Sequence, residues 1–102
     1  MKAKKTDVII LATARAKPDK EGDLESALRE CAGPTRQQPG CVQFFLLRAA
    51  NDRSTIVGYE RWASEADHQQ HLEGAHIQRL MSRMADILVA PPDIVAYQVI
   101  DE

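Results

Sequence analysis

The order in which hydrophobic periodicity switches along the chain restricts its folds more than any other feature. Asp7–Ala16 is β-branched and apolar and ends at Lys17-Pro18, the pattern of a strand. Leu24, Ala27, Leu28, Cys31 and Thr35 then recur at helical spacing, which predicts an amphipathic helix from about Lys20 to Gln38 capped by Asp19. Gly33-Pro34 falls inside that helix and predicts a kink or a break. Pro39-Gly40 is a stop signal, after which Cys41–Arg48 and Thr55–Trp62 read as a hairpin joined through the turn-rich Ala49–Ser54. Ser64-x-x-Asp67 has the form of a capping box that opens a second helix. Gly74 interrupts it, and a further segment carries Ile77, Leu80, Met81, Met84, Ile87 and Leu88 on one face. Pro91-Pro92 ends this segment, and Asp93–Ile100 is the last strand.

The resulting order, β-α-β-β-α-β, defines an α+β chain of ferredoxin-like type, with a four-stranded antiparallel sheet and helices on one face. Covering the bare opposite face with a second copy is the simplest solution, so a symmetric homodimer is expected. With 102 residues there is room for one domain, expected over residues 7–102 behind a flexible tail of residues 1–6.

Charge and composition remove several classes of function. Net charge is −2 and the basic residues are dispersed, which leaves no electrostatic footprint for nucleic acid. Lys2, Lys4 and Lys5 are expected to be a solvated tail. That tail followed by Val8–Ala14 mimics an export signal, but Asp7 interrupts it and cleavage would remove the first strand. No stretch approaches the ~20 apolar residues of a membrane span, so no membrane partner is expected, and two cysteines without an export signal suggest a cytoplasmic protein. Cys31 and Cys41 stand ten apart without further cysteines and read as reduced thiols, Cys41 as a buried small hydrophobe. Neither a G-x-G-x-x-G loop nor a G-x-S-x-G elbow occurs. His68 and His71 lie one helical turn apart, but two ligands do not make a metal site, and no metal is expected.

Four local patterns share one family resemblance. Ala14-Arg15-Ala16-Lys17-Pro18 ends the first strand, and Thr35-Arg36-Gln37-Gln38-Pro39-Gly40-Cys41 joins helix to strand. Tyr59-Glu60-Arg61-Trp62 with Ser64 closes the third strand, and His71-Leu72 with Ala75-His76 marks the second helical region. Together they resemble the antibiotic biosynthesis monooxygenase family, over about residues 7–100. The resemblance implies a dimeric α+β barrel in which two sheets pack face to face, with a pocket between each sheet and its helices. It also implies a cofactor-free oxidoreductase acting with molecular oxygen on quinol, phenolic or polycyclic aromatic substrates. The haem-degrading members of the superfamily use an Asn, a Trp and a His. The Trp and His positions are His71 and Met81 here, and the only Asn, Asn51, is in a loop, so haem is not expected.

Cofactor-free oxygenation needs a dry pocket for a flat substrate, a base to remove a proton, and stabilisation of the resulting anion. His76 follows Gly74 at the start of a helical segment, where the dipole disfavours the imidazolium, and is the expected base. His71, in the last turn before Gly74, is expected to be cationic and to pair with a developing phenolate. Trp62, Tyr59 and Glu60 are the expected substrate-binding residues, Trp62 either stacking on the substrate or anchoring strand to helix. Strand parity sends Glu60 and Trp62 one way and Tyr59 and Arg61 the other, without saying which pair meets the pocket. Glu60 has a competing role as an ion-pair partner of Arg15 or Arg48, and Met81 and Met84 read as core. The same histidines would also serve an isomerase or epimerase of a small polar metabolite. A non-catalytic dimeric ligand-binding protein is the third possibility.

Overall fold

A computed structural model describes residues 3–4 and 6–102. Its elements are β1 (Val8–Arg15), α1 (Glu21–Arg36), β2 (Cys41–Ala49), β3 (Asp52–Trp62), α2 (Glu65–Leu72), α3 (Ala75–Ile87) and β4 (Asp93–Gln98). The four strands form one antiparallel sheet in the order β2-β3-β1-β4, the ferredoxin-like arrangement expected. Of the expected tail, residues 1, 2 and 5 lie outside the described residues. The Lys4 carbonyl accepts from the Asp7 amide at 3.0 Å and from Arg61 Nη2 at 2.8 Å, which ties residue 4 to the sheet.

Turn chemistry explains several boundaries, and corrects others. Of the kink or break expected at Gly33-Pro34, the break does not occur: helix α1 runs continuously to Arg36. Pro34 sits in the last turn, where its missing N–H removes one bond near a helix end that is about to stop anyway. Its first residue is preceded by Lys20, not Asp19, and no side chain caps it. Asp19 adopts φ 69° instead, a left-handed conformation that Asp tolerates better than most residues. Strands β2 and β3 pair as far as Ala49 and Asp52, so only Ala50-Asn51 remain as the hairpin turn, fewer than expected. The Asp52 carboxylate accepts from the Ser54 amide at 3.0 Å and from the Ser54 and Thr55 hydroxyls at 2.6 and 2.7 Å, holding that end in place. Strand β4 ends two residues short of Ile100.

Gln38-Pro39-Gly40-Cys41 is a type II turn, with Pro39 at its second position, Gly40 at φ 83° and the Cys41 amide reaching the Gln38 carbonyl at 3.2 Å. Gly40 is needed twice over. Its φ favours glycine, and a Cβ there would overlap the Asp67 carboxylate of α2. The Ala63 amide also donates to the Gly40 carbonyl at 2.8 Å, so the turn is fastened to the end of β3 as well as to α2. Ser64 caps α2 as expected, its Oγ accepting from the Asp67 amide at 3.1 Å. Gly74 separates α2 from α3.

The core lies between one face of the sheet and helices α1 and α3, around Ala14, Leu24, Ala27, Ile56, Met84 and Ile87. Met81, read as core, is 45% exposed, because the helical stripe is wider than the surface the sheet offers it. Cys41 is half-buried and not fully buried as expected. On the other face, Phe45, Leu47, Val95 and Tyr97 are exposed together, around half-buried Ile9, Leu11, Val57 and Tyr59.

Candidate active site

Small residues on the helix-facing side of the sheet create the site. Ala12 and Gly58 are register partners on β1 and β3, and neither fills the space beneath the helices. The cavity left there has a volume of about 90 Å³. Phe44, Leu46, Ile77, Leu80 and Met84 are the larger side chains of its apolar wall, with Met81 and Ile94 toward the exposed β4 edge. Among the described residues, Glu60 and His71 are the only ionisable side chains besides Cys31 on that wall. The Cys31 thiol lies 3.6 Å from the His76 carbonyl, and burial pushes its pKa up.

Strand parity is thereby resolved. Glu60 and Trp62 face the helices, whereas Tyr59 and Arg61 lie on the opposite face. Tyr59, an expected substrate-binding residue, therefore does not reach the cavity; its ring sits 5.8 Å from Phe45 on the open face. Trp62 is fully buried and does not line the cavity; its Nε1–H donates to Glu60 Oε1 at 2.8 Å. Its ring also packs against His71, with centroids 4.8 Å apart. It anchors the site and leaves no face for a substrate.

Glu60 pairs with neither Arg15 nor Arg48, which instead approach Asp52 and Glu25. Its Oε1 lies 3.7 Å from His71 Nε2 and 4.0 Å from His68 Nε2. Burial raises its pKa, against the opposing pull of the Trp62 hydrogen bond. A Cβ on Gly58 would stand 3.8 Å from Glu60 Oε2, so that second oxygen lies on the cavity-floor side. The carboxyl group thus has one oxygen held by tryptophan and one turned toward the empty space.

His71 is 4% exposed, which overturns its expected cationic state. Burial, with smaller contributions from His68 and His76, holds its pKa down to about 4. A helix C-terminus offers an imidazolium only ~0.3–1 kcal/mol in exposed settings. Desolvating a charge costs several, so burial wins. Its Nδ1 is 2.6 Å from Gln38 Oε1. His68, on the same side, has only 12% of its side chain exposed, and burial lowers its pKa too.

His76 follows Gly74 as anticipated, at the second position of α3, and burial and Arg79 lower its pKa. It is, however, absent from the cavity wall. Its Nε2 lies 3.2 Å from the hydroxyl of fully buried Thr35, and its ring stands 5.9 Å from that of His71. The geometry therefore brings Glu60, His71 and His68 together and leaves His76 one step removed. Gln38 and the approach of His68 escaped sequence reasoning, since they depend on how the Pro39-Gly40 turn docks on α2. Among the described residues, no group of three or more His, Cys, Asp or Glu is placed to hold a metal ion. No helix there is long and apolar enough to cross a membrane.

Fold and cavity together define an α+β protein of ferredoxin-like type, with a mostly apolar chamber and one carboxyl–imidazole pair. A sequence model of the antibiotic biosynthesis monooxygenase family matches residues 7–83, and the chain belongs to that family. It is 28% identical over 88 residues to the Bacillus subtilis protein named "Putative monooxygenase YcnE", covering 86% of this chain and 93% of that one. Among solved structures, Rv0793 from Mycobacterium tuberculosis superposes with a TM-score of 0.89 at 24% identity, over 94% of this chain and 97% of the other, a likeness of fold. PA3566 from Pseudomonas aeruginosa gives the same TM-score at 25% identity, over 94% and 96%.

Proposed function

We propose that the protein is a cofactor-independent monooxygenase that oxidises a small quinol or phenol with molecular oxygen in the cavity beside Glu60 and His71. The family supports a monooxygenase-like oxidoreductase. The observation that carries the finer reading is the single carboxyl–imidazole pair in an otherwise apolar wall. The reaction balances without another reductant: a quinol bearing a ring C–H, plus O₂, gives a hydroxyquinone and water. Glu60 takes the hydroxyl proton through the oxygen facing the cavity. The resulting anion passes one electron to O₂, the two radicals join to form a C–O bond, and cleavage of O–O with loss of the ring proton releases water. Protons needed for that water return from the Glu60–His71 pair. An apolar wall without arginine offers nothing to a polar or phosphorylated metabolite, which disfavours the isomerase.

Size narrows the substrate. About 90 Å³ is well below the ~300–1,000 Å³ of drug-sized pockets. A single ring fits this scale better than a polycycle, and exposed Met81 and Ile94 are the side chains able to yield. His76, away from the wall, is assigned no contact with substrate. We further assign the exposed apolar face of the sheet to a homodimer, two sheets closing on each other.

The test is oxygen consumption by chelator-treated protein given monocyclic and polycyclic quinols. Expected are one O₂ consumed per quinol, a loss of ~10²–10⁴-fold in Glu60→Gln, and a much smaller loss in His76→Ala. Absence of uptake with every quinol, or full activity of Glu60→Gln, would overturn the reading. Sedimentation of the wild type and of Tyr97→Asp separately tests the pairing, the expected result being a dimer that the charge dissociates.

A further inference from the structure

Gln38 lies 33 positions before His71, yet its side-chain oxygen is 2.6 Å from His71 Nδ1. The backbone that carries it is unusually constrained. Its own amide reaches the Thr35 carbonyl at 3.1 Å, and its carbonyl closes the type II turn. The Gly40 contact with Asp67 then docks that turn on α2 four residues before His71. A carboxamide oxygen only accepts hydrogen bonds, so this close contact is a hydrogen bond when the facing ring nitrogen carries the proton. A neutral imidazole has one N–H, and burial keeps this one neutral. The other nitrogen, Nε2, is then a bare acceptor, 3.7 Å from Glu60 Oε1.

We propose that Gln38 is a positioning residue that holds His71 in the Nδ1–H form, so that a bare Nε2 faces the Glu60 carboxyl and accepts a hydrogen bond from it while Glu60 holds the substrate's proton. The proposal rests on the Glu60–His71 reading of the cavity. The transfer is a proton movement only: substrate O–H to Glu60 and back when water is formed, with His71 Nε2 stabilising the protonated carboxyl as an acceptor and taking no proton itself. Four further groups surround the His71 ring: Trp62 from β3, packed against it at a tilt; His68 from α2; His76 from α3; and Gln38 from the turn. Glu60 is therefore the only carboxylate among the groups named, and no arginine is among them. Without Gln38 the Nε2–H form would prevail, since its proton would face Glu60 and find an acceptor there.

The decisive measurement is the tautomer itself, read from ¹⁵N shifts of histidine-labelled protein near neutral pH, with His71→Phe assigning the signal. Wild type is expected to show a protonated Nδ1 and a bare Nε2. Gln38→Met, of similar shape without an acceptor, should move the proton to Nε2 and lower oxygen consumption at least tenfold. Gln38→Glu keeps an acceptor, so it should retain Nδ1–H, restore part of the rate, and shift the acid limb of the pH–rate profile upward as the new carboxylate stabilises the imidazolium. A wild-type Nε2–H signal, or an unchanged tautomer in folded Gln38→Met, would overturn the proposal. Because the tautomer needs no turnover to observe, failure of oxygen uptake sinks the oxygenase reading alone.

Discussion

Glu60 and Arg61 are neighbours in sequence, both buried, and treated oppositely by the two faces of the sheet. Arg61 Nε donates to Asp7 Oδ2 at 2.8 Å, and Nη2 donates to the Lys4 carbonyl at 2.8 Å and to Glu102 Oε1 at 2.9 Å. Asp7 and Glu102 are both paired with Arg61 there. Burial alone would raise the Asp7 pKa, but the Lys4 amide and the Arg61 guanidinium outweigh it and hold the carboxyl below its ordinary value. Glu60 has one tryptophan N–H and two neutral-leaning imidazoles, and its pKa is raised. A fully paired buried charge joins the chain ends and is locked in one protonation state. A half-paired one is free to exchange a proton, and that freedom marks the site.

The largest expected effect breaks the paired side. Arg61→Met leaves Asp7 buried without its cation, which costs on the order of 3–5 kcal/mol, to be read from the urea midpoint. Glu60→Gln keeps an acceptor for Trp62 and removes a titration, so its stability should change by less than about 1 kcal/mol. If the two substitutions cost the same, the contrast between the faces is wrong.

Acid should separate the faces next. Below the ordinary histidine pKa of 6.5 the unfolded chain protonates, while folded His71 resists down to about 4. The stability contributed by neutral His71 is therefore complete above 6.5 and is lost as pH falls toward 4. Glu60, raised above its ordinary 4.5, acts in the opposite sense, contributing stability that is lost as pH rises through its folded value. Glu60→Gln should thus steepen the acid loss between pH 6.5 and 4, and His71→Phe should flatten it. The Asp7 side stays silent there and gives way only below its ordinary 3.8. Denaturant titrations at stepped pH would show the order, and a flat wild-type profile over 4–6.5 with an unchanged Glu60→Gln profile would contradict it.

What the sequence disclosed follows the same division between local and distant causes. The order of elements, the Ser64 cap and the Gly74 break were legible because period, capping and turn chemistry act within a few residues. Parity separated Glu60 from Arg61 correctly, but which side meets the helices is a fact of docking. His71 was assigned a charge from the helix end it occupies, a contribution smaller than the desolvation that only tertiary packing brings. Gln38 had no local signal at all, since its partner is on another element and its rigidity comes from the contact of Gly40 with Asp67.

Trp62→Phe sharpens the comparison from the inside. Removing the Nε1–H frees Glu60 Oε1 while keeping most of the buried ring, with an expected cost of about 1–2 kcal/mol. The carboxyl pKa should rise further, since the group that opposed burial is gone, and infrared titration of the buried carboxyl would register it. An unmoved carboxyl band would mean that Trp62 packs against the site without tuning it.

The smallest effect is expected at Gly58, and it runs in two directions at once. A Cβ there would meet Glu60 Oε2 at 3.8 Å and Ala12 Cβ at 3.9 Å, ordinary contact distances, so Gly58→Ala fits without strain. Gly58 lies in mid-strand, where alanine restricts the unfolded chain and should stabilise by about 0.4–1 kcal/mol. The added methyl also occupies the floor of a cavity of about 90 Å³, beside the oxygen assigned to the substrate. Gly58→Ala should therefore raise the urea midpoint while raising KM for a monocyclic quinol more than it lowers kcat. A gain in stability with unaltered kinetics would mean that this floor is not where the substrate lies, and that glycine at position 58 serves only the strand.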